Sequence, residues 1–146
     1  MTIRDVLILV GSRIEELNNV AVNVRFTRAQ ELGDLADDVA YYVEPGGFDM
    51  ERRNVGCARK TYRVRAISAE HVLNSNYEER AQEREVFWEN VAYDLVSHPM
   101  LGDRLDGVFV LSVATFPDAP AGYSAEALED GISLLSAGIE VTIVID

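Results

Sequence analysis

At 146 residues the chain is one domain of ordinary size, able to bury roughly two thirds of its unfolded surface without help from a disulfide or a metal. Its one cysteine, Cys57, excludes an intrachain disulfide framework and a four-cysteine zinc site, and fits synthesis in a reducing cytoplasm. The 25 acids against 13 bases, a formal charge of −12, exclude a tight grip on a nucleic-acid backbone, because that affinity comes from basic side chains neutralising phosphates. An acidic wall is still compatible with DNA in passage, since like charges repel and do not stick.

Thr2 followed by Asp5 resembles a capping box, and Ile3, Val6, Leu7, Val10, Ile14 and Leu17 recur at helical spacing, so a helix is expected over about Ile3–Leu17. The apolar run Val6–Val10 follows Asp5 and precedes Glu15 and Glu16, which reads as part of that helix and not as a signal peptide. No uncharged run approaches the roughly 20 residues of a membrane span, so no membrane partner is expected. After Asn18-Asn19, the alternation of Val20, Val22, Val24 and Phe26 predicts a half-buried strand. Residues 28–37 read as a loop or short helical turn.

A second strand is expected at Val39–Glu44, stopped by the turn signal Pro45-Gly46-Gly47, and a third at Lys60–Ile67. The intervening connection of about fifteen residues is long enough to have a task. It also changes charge. Glu31 to Asp49 holds six acids and no base, whereas Arg52 to Arg65 holds six bases and no acid. Two readings stay open: the oppositely charged strands pair within one hairpin, or the arm meets a neighbouring copy. Twelve of the 13 bases are arginine, whose planar fork suits interfaces.

The best-marked element is a helix around Ser75–Ser97. Tyr77, Ala81, Arg84, Trp88, Val91 and Leu95 share one face, widened by Phe87, Ala92 and Val96, while Glu78, Glu79, Glu83, Glu85 and Glu89 mark the wet side. Trp88, the sole tryptophan, reads as core. Pro99 ends the helix. The apolar strand at about Gly107–Phe116 reads as one buried on both faces or central in its sheet. The connection Pro117–Ser136 holds a possible helical turn at Ser124–Asp130, and a last strand covers Ile139–Asp146, placing the chain's end within a sheet.

Catalysis finds little support. His71 and His98 are the only histidines and lie far apart; His98 at a helix C-terminus is explained by the exposed carbonyls there. The neighbouring pairs Glu78/Glu79 and Asp37/Asp38 diverge, and no serine sits in a nucleophile elbow or phosphate loop. No enzyme activity, cofactor or metal is expected.

These elements predict an α+β fold: a mainly antiparallel sheet of about five strands against two helices, in the order α-β-β-β-α-β-β with a long hairpin arm, forming a single domain over residues 1–146. This order, with the turn Ser97-His98-Pro99-Met100-Leu101-Gly102, the strand Asp106-Gly107-Val108-Phe109-Val110-Leu111 and a terminal strand, resembles the tail terminator (tail completion) proteins of long-tailed bacteriophages over nearly the whole chain. The resemblance implies a virion structural protein, assembled in the host cytoplasm, that forms a ring, usually a hexamer. That ring caps the head-proximal end of the tail tube, stops its polymerisation and faces the head-tail connector. Its implied partners are its own copies, the tail tube protein and the connector protein.

The long segments Arg28–Asp38 and Pro117–Ser136 also fit a neighbouring neck or connector ring component, and a small acidic protein-binding module is the reading from another class. For a ring, the expected subunit-interface residues are Arg52, Arg53, Arg59 and Lys60 against Glu31 and Asp49, with Asp34, Asp37 and Asp38 facing the lumen.

Overall fold

In the computed structural model of the protein, which describes residues 1–26, 39–102, 107–115 and 131–145 and the backbone of 123–129, the capping box at the N-terminus forms as read. The Asp5 amide donates to Thr2 Oγ1 (3.3 Å), and the Thr2 amide donates to Asp5 Oδ2 (2.8 Å), at the head of helix α1 (Ile3–Asn18). That amide, with the Thr2 hydroxyl, holds the Asp5 carboxyl below its usual range. Val6, Leu7, Val10, Gly11 and Ile14 form its buried stripe.

Helix α2 (Tyr77–Ser97) follows a 3-10 turn at Asn74–Asn76 and buries Ala81, Trp88, Val91 and Leu95. The predicted glutamates are all exposed. Trp88 is core: it is 3 % exposed and its Nε1 donates to Ser68 Oγ at 2.9 Å. The two helices are tied by a fork, Arg13 donating to both Asp94 carboxylate oxygens at 3.0 and 3.3 Å.

The strands are β1 (Val22–Val24), β2 (Ala40–Asn54), β3 (Cys57–Leu73), β4 (Val108–Thr115), β5 (Tyr123–Glu129) and β6 (Ile132–Ile145). They form one mixed sheet in the order β1-β2-β3-β6-β4, with β5 also on β6; only the β1–β2 pairing is parallel. Hence the fold is α+β with a mainly antiparallel sheet, as the sequence predicts. β6 is the central strand, with β3 along one side and β4 and β5 sharing the other. Gly138 lets β6 lie close to β3, because a Cβ there would come within 2.2 Å of the Ala66 carbonyl oxygen.

Both helices cover one face, α1 over β1–β2 and α2 over β6–β4. On that face Val43, Val64, Ala66, Val108, Val141 and Ile143 are almost entirely buried. The opposite face carries charge. The Arg25 guanidinium stacks 3.5 Å from the Tyr42 ring centroid, and Arg65 pairs with Glu140 at 3.5 Å.

Four sequence readings need correction. Pro45-Gly46-Gly47 does not end β2; the strand runs through it with a register shift between Pro45 and Phe48. β1 stops opposite Val43, so among the described residues Pro45 lies on a sheet edge, where its missing N–H costs no ladder bond, and Gly47 takes φ +109 in the bulge. The true turn is Val55-Gly56, with Gly56 at φ +86. β4 is an edge strand, with β6 on one side and, among the described residues, only the short bridge of Met100 to Phe109 on the other, and its residues alternate in burial up to a bulge at Leu111. Finally, Ser124–Glu129 is strand, not a helical turn: β6 begins at Ile132, seven residues earlier than read, and offers β5 a template. The segment read as a loop at residues 28–37 lies outside the described residues.

Candidate functional site

The β2–β3 hairpin outruns the rest of the sheet. Among the described residues its pairing with β6 runs to Lys60–Ile145, and the hairpin continues three more residues to Cys57, about 10 Å at the rise of an antiparallel strand. Alternation then sorts its two faces. On the helix side stand Phe48, Met50 and Arg52, opposite Tyr62, Lys60 and Ala58. The other side carries Asp49 and Glu51, with Arg59 directly across from Glu51 and Arg63 ion-paired to Asp49.

One face of the arm is therefore charge-matched within the hairpin. The other is apolar and basic, and the core meets it at its base, where the Tyr62 ring lies 6.3 Å from that of Phe48. Phe48 is 59 % exposed, Met50 58 %, and Val55 at the tip 96 %. Beyond α1 the arm face opens into a groove of about 350 Å³ between Ile3, Pro45, Phe48, Met50, Lys60 and Tyr62. The Lys60 ammonium stands 5.7 Å from the Tyr62 ring centroid, so its charge is held over an aromatic face.

Of the expected interface residues, Arg52 and Lys60 share the apolar face, while Arg59 stands on the opposite one and Arg53 at the register shift between Arg52 and Asn54. Asp49 is engaged by Arg63 of its own hairpin. Glu31 and the expected lumen acids Asp34, Asp37 and Asp38 lie outside the described residues. Sequence reasoning missed Phe48, Met50 and Val55. Their signal was available: Phe48 and Met50 resume an every-second-residue pattern past the glycines, and Gly56 supplies the positive φ that a tight hairpin turn requires.

A second concave feature lies at the far end of the sheet, between α2 and the outer half of β4. This groove of about 300 Å³ has Trp88, Ala92, Val113 and Ile139 on its floor and Glu85 and Glu89 on its rim. Glu83 is paired with Arg80 and Arg84, but neither Glu85 nor Glu89 has an ion-pair partner among the described residues.

The most buried acid is elsewhere. Glu70 on β3 is 1 % exposed and faces α2, with Arg84 Nε at 3.3 Å and Arg80 Nη2 at 3.8 Å; Arg84 also donates to the Tyr41 hydroxyl at 2.6 Å. Burial pushes the Glu70 carboxyl up, and the two guanidiniums pull it back. With Glu70 buried beneath the helix, this cluster clamps α2 to the sheet. His71 is half-buried within β3, and His98 Nδ1 lies 3.4 Å from Asp94 at the end of α2. Among the described residues no three of His, Cys, Asp and Glu stand close enough to hold a metal ion, and no helix is long and apolar enough to cross a membrane.

No protein-family model matches the chain, and no curated protein matches it.

Proposed function

We propose that this protein is a ring-forming structural component of a long-tailed bacteriophage particle, a tail terminator that caps the head-proximal end of the tail tube and presents a surface to the head-tail connector. The observation that carries the ring is the arm: a hairpin that projects past the sheet with Phe48, Met50 and Val55 uncovered and Arg52 and Lys60 beside them, on a chain of net charge −12. Apolar and basic on the arm, acidic on the body, such a chain favours contact between unlike patches of two copies. That is the geometry that closes into rings. The order of elements, which resembles the tail terminators, supplies the phage setting. The function is binding and symmetry, with no turnover, and the site of action is the neck of the virion after assembly in the host cytoplasm.

The test is the mass in solution by light scattering at low and high salt, alone and with purified tail tubes. A hexamer, or a salt-dependent equilibrium between monomer and hexamer, is the expected result, with rings seated on tube ends by electron microscopy. A chain that stays monomeric throughout and leaves the tubes bare overturns the reading. Rings that ignore tube ends would move the assignment to a neighbouring neck component.

A further inference from the structure

We infer that the arm of one subunit seats in the groove between α2 and β4 of the next copy, its arginines on Glu85 and Glu89 and its apolar tip on the floor of Trp88, Ala92, Val113 and Ile139. The inference rests on the ring reading and assigns the surfaces that make the ring.

Charge complementarity chooses the occupant. The groove is an apolar trough whose rim carries two carboxylates with no cationic partner among the described residues. The arm tip offers the reverse, Arg52 flanked by Met50 and the nearly naked Val55. A two-stranded ribbon is narrow enough to lie along such a trough, and guanidiniums bind carboxylates as a planar fork. Past Val110, the outer side of β4 adds backbone groups that are unpaired among the described residues along the same border.

Distance excludes a contact within one chain. Ile139, on the groove floor, pairs with Ala66 of β3, and the tip begins at Cys57 of the same strand, nine residues away and so about 30 Å along a straight strand. An arm that points away from its own groove fills only another copy's. Because donor and acceptor patches differ, each subunit still has one of each to offer, so the contact repeats until the rotation closes.

Cys57, exposed at the tip and the only cysteine, makes this directly testable. Thr115→Cys places a second thiol on the groove border, on the face that Ile139 shares. Under air oxidation the variant is expected to give a ladder of disulfide-linked species up to the full ring on non-reducing gels, and Cys57→Ser in that background is expected to erase it. In parallel, Glu85→Arg with Glu89→Arg should raise the concentration needed for assembly at least tenfold, as should Arg52→Glu with Arg53→Glu, and the chain carrying all four changes should recover. Far-ultraviolet circular dichroism reports that each variant is folded. Absence of the ladder, or unchanged assembly of the reversed groove, while the wild type still forms oligomers, overturns the assignment of surfaces and leaves the ring intact. A wild type that never assembles overturns both.

Discussion

Glu70 sits where a carboxylate is least at ease, 1 % exposed beneath α2, and it is tolerable there because Arg84 and Arg80 converge on it. Burial is the larger influence and raises its folded-state pKa above the ordinary value of 4.5. The sign follows. The fold holds this proton more tightly than the unfolded chain does, so the group's contribution is fully present below pH 4.5 and is lost as the pH rises through the folded value. Glu70→Gln removes that dependence. The Tm advantage of the wild type over the variant should therefore be greatest at about pH 4 and shrink toward pH 7. Thermal melts of both proteins across that range decide it, and a gap that widens toward neutrality would mean that the guanidiniums outweigh burial.

The helices and the arm were legible to different degrees, for reasons that lie in how far each depends on distant chain. α1 and α2 follow their apolar periodicity closely, and the Thr2–Asp5 box is a local device that needs no partner. Pro45-Gly46-Gly47 is ambiguous locally: it suits a turn and a bulge equally, and the pairing of Phe48 with Tyr62 settles which. Ser124–Glu129 has helical residues and becomes strand because β6 lies beside it. The bases of the arm could be read from sequence, but not the groove, which a helix and a strand more than twenty residues apart create only together.

At this scale the arm tip also makes a prediction. Residues Arg52–Ala58, between the register partners Glu51 and Arg59, touch neither helix's core stripe and extend past the last described β3–β6 pair. Replacing them by a two-residue Asn-Gly turn should cost less than about 1 kcal/mol, a fall in Tm of less than about 4 °C, while abolishing oligomers. A large fall in Tm with assembly retained would show that the tip belongs to the fold and not to an interface.

For the whole molecule, a charge of −12 on each copy sets two electrostatic effects against each other when copies meet. The bodies repel across separations of tens of ångströms, and screening erases that repulsion first, since the Debye length falls from about 30 Å at 0.01 M to about 8 Å at 0.15 M salt. Guanidinium–carboxylate contacts at the arm act over hydrogen-bond distances and survive that change. They weaken only when the screening length itself shrinks to about 3 Å, near 1 M. Burial of Phe48, Met50 and Val55 is not reduced by salt and is favoured by excluded anions such as sulfate. Assembly should accordingly strengthen from about 0.01 to about 0.15 M sodium chloride and weaken again toward about 1 M, with the second limb removed by substituting sodium sulfate. Sedimentation velocity at these three salt levels distinguishes the cases. A steady loss of oligomer from the lowest salt upward would place the arm's charges, not the repulsion between bodies, in control at every ionic strength. A steady gain would leave the arginines with no part in holding copies together, and the apolar strip of the arm as the whole of the contact.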